Sequence, residues 1–394
     1  MVRRFAILAA LMLAAVSCVY PFEPDVEGAG DTLVIEGDIL IGEECTFNVS
    51  RTTALGKRPD SKISGTKAVF STPGPTVWVE DSNGGKYTAK EGTTTVDLTN
   101  ASSDLQYRLN VQDNSTGRYY HSEFKPVIKA ADIDSLCYIM DRSRNQLNIG
   151  LSMHTAGSHY FRWSYREVWE YTAHYYSRFK YIVDDVRLQR GHLEPYENGE
   201  NIYYCWRNDA SKEIMVFSTA DQTEDRFVDL EFHSIPRSDQ RIMDIYFIEV
   251  FLEPMDEMGY KFWNNLRETS DNQGGFFSPT PSQMAGNIVC DTDPGEFVIG
   301  YINVAQRSKE QLYYYDNKHH FYEPTTRYWP DLEVVPESDW YLKYSVDLYL
   351  PIEEAYDETG TEVIGYYWAP RDCSDCRYGG GTKNKPDWWP SDHI

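Results

Sequence analysis

Two cysteines near the carboxyl end, Cys373 and Cys376, have a two-residue spacing that several kinds of chemistry use. A thioredoxin-type redox pair needs its first cysteine at a helix N-terminus after a strand, where the helix dipole lowers the thiol pKa. The flanking sequence predicts no such element. A zinc site needs further ligands at motif spacing, and the nearest candidate, His393, stands alone. The spacing therefore favours a local disulfide that fastens the tail, with zinc, redox chemistry and free thiols as alternatives.

The other cysteines are consistent with an oxidising destination. The chain has seven cysteines, and six remain once Cys18 is set aside for the modification described below. An even number in an exported chain permits disulfides. Cys205 and Cys290 flank the strands predicted for the centre of the second domain, so we predict that they form another pair. The alternative is that some of these cysteines are small buried apolar residues.

The histidines form no metal-binding motif. His319 and His320 are adjacent, so on a strand they would point to opposite faces of a sheet. His154 and His159 lie close in sequence but lack a third ligand nearby. We therefore predict no metal site and no cofactor.

Carboxylates are abundant but are not organised into a recognisable catalytic set. The 61 acids include the pairs Asp184-Asp185 and Glu353-Glu354, which cannot be distinguished from solvated surface. A glycosidase uses two carboxylates, but nothing in the sequence selects two. Motifs of serine hydrolases, zinc proteases and phosphate-binding loops are lacking. We assign no catalytic residue and predict that the protein is not an enzyme.

Charge and aromatic content limit the classes of partner. The net charge of −24 and the pI near 4.7 argue against nucleic acid, because phosphate binding requires a basic footprint that no segment provides. The 30 tyrosines, 17 phenylalanines and 10 tryptophans mostly fit cross-strand packing in a β-protein. Some of these rings could also stack on a sugar or peptide ligand.

The first residues predict export and lipid attachment. Arg3 and Arg4 precede an apolar run over residues 5–16, which is shorter than the roughly 20 residues of a bilayer-spanning helix. Small residues before Cys18 resemble the lipobox of bacterial lipoproteins. We therefore predict a signal peptide over residues 1–17 and a lipid anchor on Cys18. An ordinary secretory signal is the alternative.

The segment after the anchor predicts a tether and a small sandwich. Residues 18–30 are rich in proline, glycine and acids, as in a linker. Residues 76–80 form a strand pattern that enters the turn 81–85, and residues 105–111 alternate between apolar and polar. Short strands without helical periodicity predict an immunoglobulin-like β-sandwich over residues 31–127.

Residues 128–394 predict a larger antiparallel β domain. Phe161, Trp163 and Tyr165 alternate with polar residues, as in a half-buried strand. Residues 242–252 are apolar on both faces, which predicts a central strand. Residues 341–350 alternate cleanly and predict a further strand.

One amphipathic helix and an irregular tail complete the predicted mainly β fold. The helix is expected over residues 254–269, with Pro254 in its first turn and Met255, Phe262 and Leu266 on one apolar stripe. Its aromatic residues are expected to close the core. The tail over residues 369–394 is rich in cysteine, glycine and tryptophan and is expected to be irregular.

Several stretches together carry a family resemblance: VYPF after Cys18, LVIEGDI, VWVEDSNGGKY, GRYYHSE, FWNNLRETSDNQGGFFSPTPSQMAGNIVC and the closing CSDCRYGGGTKNKPDWW. The chain resembles a large family of Bacteroidota outer-membrane lipoproteins classed as a domain of unknown function. Members are typically encoded beside TonB-dependent receptors. The first domain is similar to the immunoglobulin-like sandwich of carboxypeptidase regulatory domains. The family has no established catalytic residues to transfer.

The resemblance and the predicted anchor lead to one functional hypothesis. The chain is expected to be a non-catalytic, lipid-anchored accessory protein of the outer membrane that faces the cell surface. It would bind a nutrient ligand, such as a glycan or peptide, or dock on a TonB-dependent receptor. The alternatives are a surface hydrolase of glycan or peptide with an unidentified acid pair, and a purely structural envelope component.

Overall fold

The computed structural model describes residues 32–52, 74–197, 200–271, 286–324 and 332–390. The predicted signal peptide, the predicted lipidation site Cys18 and the predicted tether lie outside the described residues. The fold is mainly β, as predicted, with 49% strand against 12% helix, so sheets build the core.

Ten strands lie in the first part of the chain: β1 Leu33–Glu36, β2 Ile39–Leu40, β3 Glu44–Thr46, β4 Asn48–Arg51, β5 Thr76–Asp81, β6 Lys86–Thr88, β7 Thr95–Asp97, β8 Gln106–Asp113, β9 Arg118–Ser122 and β10 Lys125–Pro126. Antiparallel pairing joins β6, β5, β8 and β9 in that order, and β1 pairs with β4 in a separate sheet. Val79 and Val111 of the larger sheet belong to the same buried core as Leu33 and Val49 of the smaller one. The predicted sandwich is confirmed.

The following strands continue the chain: β11 Asp132–Asp141, β12 Gln146–His154, β13 Tyr160–Thr172, β14 Phe179–Asp185, β15 Arg190–Pro195, β16 Tyr204–Ala210, β17 Met215–Ser218, β18 Arg226–Pro236, β19 Ile245–Met255, β20 Ile288–Cys290, β21 Val298–Ile299, β22 Val304–Ala305, β23 Ser308–Tyr315, β24 Glu333–Val335, β25 Tyr349–Tyr356 and β26 Val363–Pro370. The helices are α1 Glu257–Asp271, α2 Asp316–His319, α3 Trp340–Ser345 and α4 Arg371–Ser374.

Two sheets form the core of the second part. One has the order β16-β13-β19-β23, and the other has the order β11-β12-β18. Leu147 and Ile149 of β12 pack in one cluster with Tyr246 and Ile248 of β19. The apolar strand predicted over residues 242–252 is therefore central, as expected. A third sheet, β24-β26-β25, lies near the carboxyl end.

Residues 288–305 return to the first sandwich. β20 pairs antiparallel to β9, whereas β21 and β22 pair parallel to β1 and β2. Ile288, Val298 and Val304 lie in the sandwich core. Gly300 has a φ of 152°, and a Cβ at this position would lie 2.2 Å from the Ile35 carbonyl oxygen. The domain boundary predicted at residue 127 is thus wrong for this segment, which belongs with the first strands.

Buried ion pairs join the sandwich to the central sheet. Arg162 of β13 contacts both Asp38, which follows β1, and Glu253 of β19. Arg307, which follows β22, contacts Glu43 of the sandwich and lies 3.5 Å from Glu253. Together they form the ion-pair junction, in which each carboxylate is neutralised by arginine.

The predicted helix forms, but its start differs. Pro254 and Met255 still belong to β19, where they pair with Phe161 and Tyr160 of β13, and α1 begins at Glu257. Sheet pairing therefore overrides the helix-start signal of Pro254. Phe262 is buried, as expected for the core-facing stripe. Three shorter helices accompany α1 in the described residues, where the sequence predicted one helix.

The strand predicted over residues 341–350 is wrong in its first half. Residues 340–345 form α3, and β25 begins only at Tyr349. The indole nitrogen of Trp340 donates to the Val335 carbonyl oxygen at 3.1 Å, which fixes the start of this helix. Because a helix does not keep alternate residues on one face, Leu342 and Tyr344 are exposed instead of forming a dry strand face.

The disulfide differs from both predicted pairings. Cys205 of β16 is bonded to Cys376, which begins a 3-10 turn in the tail. Cys290 lies in the sandwich core, and the Cys373 thiol donates to the Pro370 carbonyl oxygen at 3.0 Å. The predicted Cys373–Cys376 and Cys205–Cys290 bonds are therefore wrong, because the tail folds back onto β16 and brings distant residues together.

Removing this bond should destabilise the protein. We expect Cys205→Ala with Cys376→Ala to lower the free energy of unfolding by about 3–5 kcal/mol, because the bond closes a loop with a sequence separation of 171. Urea unfolding followed by tryptophan fluorescence measures this loss. The control Cys137→Ala, at a partly exposed thiol, should cost less than about 1 kcal/mol. Unchanged stability of the double variant, or a Cys373–Cys376 link in non-reducing peptide maps, would contradict the pairing.

Candidate functional site

A polar concavity of the central sheet lies where one edge of β13 changes its partner. β16 pairs with β13 over residues 166–172, and β17 pairs with residues 160–163. The connector between them continues the edge with two bonds: the Ser211 amide donates to the Tyr165 carbonyl at 2.9 Å, and the Ser211 hydroxyl accepts from the Tyr165 amide at 3.1 Å. The edge strand is interrupted here, and side chains of β13 become accessible.

The resulting cleft, which we call the Glu167 cleft, has a volume of about 390 Å³. This volume is in the range of small-molecule sites. Tyr165 and Glu167 of β13 and His233 of β18 line it, together with Arg241. The connector supplies the exposed Glu213 at its rim. Charged and aromatic groups thus converge in one place.

Glu167 is the centre of a saturated hydrogen-bond network. Its carboxylate accepts from Arg241 Nη1 at 3.0 Å and from the Tyr246 hydroxyl at 2.8 Å, and His233 Nε2 lies 3.3 Å away. Burial by itself raises the pKa of the Glu167 carboxyl, but the His233 hydrogen bond and the Arg241 charge outweigh it and lower the pKa. Glu167 is therefore ionised at neutral pH.

Tyr165 extends this network toward the opening. Its hydroxyl lies 3.1 Å from His233 Nδ1. Burial raises the pKa of Tyr165 to about 12, and the nearby Glu167 charge adds to the increase. The phenol is thus neutral. A His233 tautomer protonated at Nε2 can donate to Glu167 while Nδ1 accepts from Tyr165.

A second carboxylate faces Glu167 across the strand pair. Asp209 of β16 is its register partner. The Lys212 ammonium, which lies 3.0 Å from Asp209, and the Ala210 amide lower the pKa of the Asp209 carboxyl. Acid–base hydrolysis of glycosides requires one protonated carboxyl group beside one ionised group. Both pKa values are lowered here, so the pair is suited to holding a ligand by fixed charge and hydrogen bonds.

None of the residues predicted as sites lies in this cleft. The Cys205–Cys376 disulfide holds the tail, and Cys373 packs against β25 and β26. Cys290 is buried in the sandwich core, and Cys18 lies outside the described residues. The described residues contain no group of three or more histidine, cysteine or acidic side chains that could hold a metal. Their helices are all too short or too polar to span a bilayer.

Glu167 could have been detected in the sequence. It occupies the dry face of β13, between Tyr165 and Trp169, and it interrupts an otherwise aromatic period-2 pattern. A charged residue at such a position requires buried partners. Its partners Arg241 and His233 come from distant segments, so local spacing could not identify them.

Replacing Glu167 should reveal this network. We expect Glu167→Gln to lower the free energy of unfolding at pH 7 by about 2–4 kcal/mol, because Arg241 and His233 lose their shared anion. A lowered pKa stabilises the fold above the unfolded-state pKa of about 4.3. The difference from wild type should therefore shrink as the pH falls below that value.

Urea unfolding at several pH values measures this difference. The matched control is Glu213→Gln, which changes an exposed acid at the rim of the same cleft and should shift stability by less than about 0.5 kcal/mol. Equal stability of Glu167→Gln and wild type at pH 7 would refute the network.

Two solved structures show limited likeness to the chain. A two-domain fibronectin type-III segment of chicken tenascin matches with a TM-score of 0.16 and 9% identity, covering 57% of this chain and 91% of that one. Chitinase ChiA74 from Bacillus thuringiensis matches with a TM-score of 0.14 and 8% identity, covering 51% of this chain and 29% of the chitinase. TM-scores this low do not indicate a shared overall fold. Among curated proteins, no match is found.

The family comparison is much more extensive. A family model described as "Domain of unknown function (DUF4249)" matches residues 19–311 of the 394. The matched region contains the sandwich, the returning segment 288–305 and most of the central sheet, whereas β24 to β26 lie beyond it. Because the match spans most of its length, the chain belongs to the DUF4249 family of domains of unknown function.

Proposed function

We propose that the chain is a non-catalytic binding protein, anchored by lipid on Cys18 in the outer membrane, that works beside a TonB-dependent receptor. The lipobox pattern and the resemblance to Bacteroidota lipoproteins support the anchor and the partner. The acidic composition argues against a nucleic-acid partner.

The Glu167 cleft is the observation that carries the binding role. Glu167 is ionised and accepts hydrogen bonds from Arg241 and Tyr246, and Asp209 is ionised and paired with Lys212. Such a network is preorganised to orient a polar ligand, but it has no protonated carboxyl to serve as a general acid. The alternative of a surface hydrolase therefore receives no support from this site.

Exposed apolar residues support docking on a protein partner. Leu342 and Val346, four residues apart on one side of α3 and its C-terminal cap, and Leu348 in the turn that follows are all exposed. We call this set the α3 patch. Clustered large apolar side chains at a surface mark interaction sites more often than isolated ones do. We assign the α3 patch to the receptor contact.

Lipid attachment can be tested at Cys18. We expect the wild-type protein to incorporate radiolabelled palmitate and to sediment with membranes, because acyl chains on Cys18 would hold it there. Cys18→Ala should lose the label and the membrane association. The control Cys137→Ala should keep both. An unlabelled wild-type protein with a mature N-terminus elsewhere would overturn the anchor.

Receptor docking can be tested with charged variants of the α3 patch. We expect affinity purification from detergent-solubilised membranes to recover a β-barrel receptor with wild type and at least about tenfold less with Leu342→Glu plus Leu348→Glu, since a desolvated charge costs several kcal/mol. The control is Val228→Glu, because Val228 is 58% exposed and Leu342 is 66% exposed. Equal recovery by the patch variant would exclude this surface, and repeated failure of wild type to recover a receptor would contradict the proposed partner.

A further inference from the structure

A second cleft lies on the opposite face of the β13–β16 strand pair. Arg166 and Val168 of β13 alternate with Glu167, so they point away from the Glu167 cleft. Their register partners on β16 are Ala210 and Asn208. These side chains line an opening of about 470 Å³, which we call the Trp388 cleft. Val168 and Ala210 give it an apolar floor with polar groups on either side.

The carboxyl-terminal tail supplies an aromatic wall to this cleft. Trp389 is buried, and its indole nitrogen donates to Glu170 Oε2 at 2.6 Å, which fixes the tail on the sheet. The neighbouring Trp388 ring lies 4.6 Å from the Phe247 ring, centroid to centroid. Even so, Trp388 remains 48% exposed. A large aromatic surface is therefore held rigidly at the side of an open cleft.

The buried acid Glu249 holds the Arg166 side chain in position. The Arg166 Nε atom lies 2.5 Å from Glu249 Oε2, and Gln311 donates to Glu249 Oε1 at 2.8 Å. The Arg166 side chain is 59% exposed, whereas that of Glu249 is 4% exposed. These three residues are register partners on β13, β19 and β23. Glu249, supported by Gln311, thus holds the Nε edge of the Arg166 guanidinium, and the other N–H groups of the guanidinium face the opening.

The charges of the cleft are balanced. Arg166, the charged residue that the strand register places on this face, is paired with Glu249. Glu167 and Asp209 also border the opening, and they are paired with Arg241 and Lys212. An acidic ligand would need an uncompensated arginine, and a basic ligand would need an uncompensated carboxylate. Asn208 adds an exposed amide, which both donates and accepts hydrogen bonds. The cleft therefore suits a neutral, polyhydroxylated ligand with one apolar face.

We propose that the Trp388 cleft binds neutral sugar units of a glycan. The C–H face of a pyranose ring packs on the indole of Trp388, while Arg166 and Asn208 bond to its hydroxyl groups. This inference rests on the proposed binding function and names its ligand class. Trp388 supplies contact area at little conformational cost, and Arg166 and Asn208 supply orientation.

The test is affinity electrophoresis of the full-length, detergent-purified protein in native gels that contain dextran, yeast mannan or xyloglucan. We expect retardation by at least one of these neutral glycans. Trp388→Ala should weaken binding at least about tenfold, and Arg166→Ala and Asn208→Ala about threefold to tenfold each. The matched control is Tyr356→Ala, at a ring that is 49% exposed elsewhere on the surface, and it should bind as wild type does.

Other outcomes would overturn the proposal. These are no retardation by any of the three glycans, equal retardation of Trp388→Ala and wild type, or retardation only by polygalacturonate or a peptide digest. Arg166→Ala changes an exposed side chain and keeps the test valid if Trp388→Ala fails to fold. Recovery of glycans at unchanged length is also expected. Loss of glycan binding with retained receptor recovery would refute this inference alone, whereas the reverse result would refute the receptor partnership alone.

Discussion

The guanidinium of Arg162 is the point on which the assembly of this chain depends. It lies between Asp38 of the sandwich and Glu253 of the central sheet, and its positive charge is 4.5 Å from the centroid of the Trp263 ring of α1. The sandwich, the central sheet and α1 thus meet on one side chain. A buried ion pair contributes little net stability, but removing one partner leaves uncompensated charge and is strongly unfavourable. We infer that the junction fixes the orientation of the units more than it strengthens their attachment.

This arrangement leaves a cleft on each face of the β13–β16 pair. The sandwich and α1 approach one end of β13 at Arg162, and the tail covers β16 at the other end through the disulfide of Cys205. Between these ends, Glu167 points to one face and Arg166 to the other. A single strand pair therefore carries two different clefts, one built from paired charges and one from an aromatic wall with balanced charges.

Local patterns predicted what local interactions decide. The alternating segment from Phe161 to Tyr171 forms a strand, and the apolar run after Ile242 forms a central strand. Both could be predicted because buried strand positions are apolar, on one face in the first case and on both faces in the second. The alternation at residues 341–350 predicted a strand wrongly, because the hydrogen bond from the Trp340 indole to the Val335 carbonyl favours a short helix there. Partners distant in sequence could not be read: Arg241 and His233 meet Glu167, and Cys205 meets Cys376, only because the tertiary fold brings them together.

The return of residues 288–305 constrains the order in which the chain can mature. Synthesis presents the amino-terminal strands first, yet β1 lacks its second neighbour and β2 lacks its partner until β21 and β22 arrive, more than 250 residues later. During this interval the emerging chain exposes strand edges and an incomplete apolar core, which are features that promote aggregation. The sandwich is therefore not an independent module that could be excised at residue 127, because residues 288–305 complete its sheets.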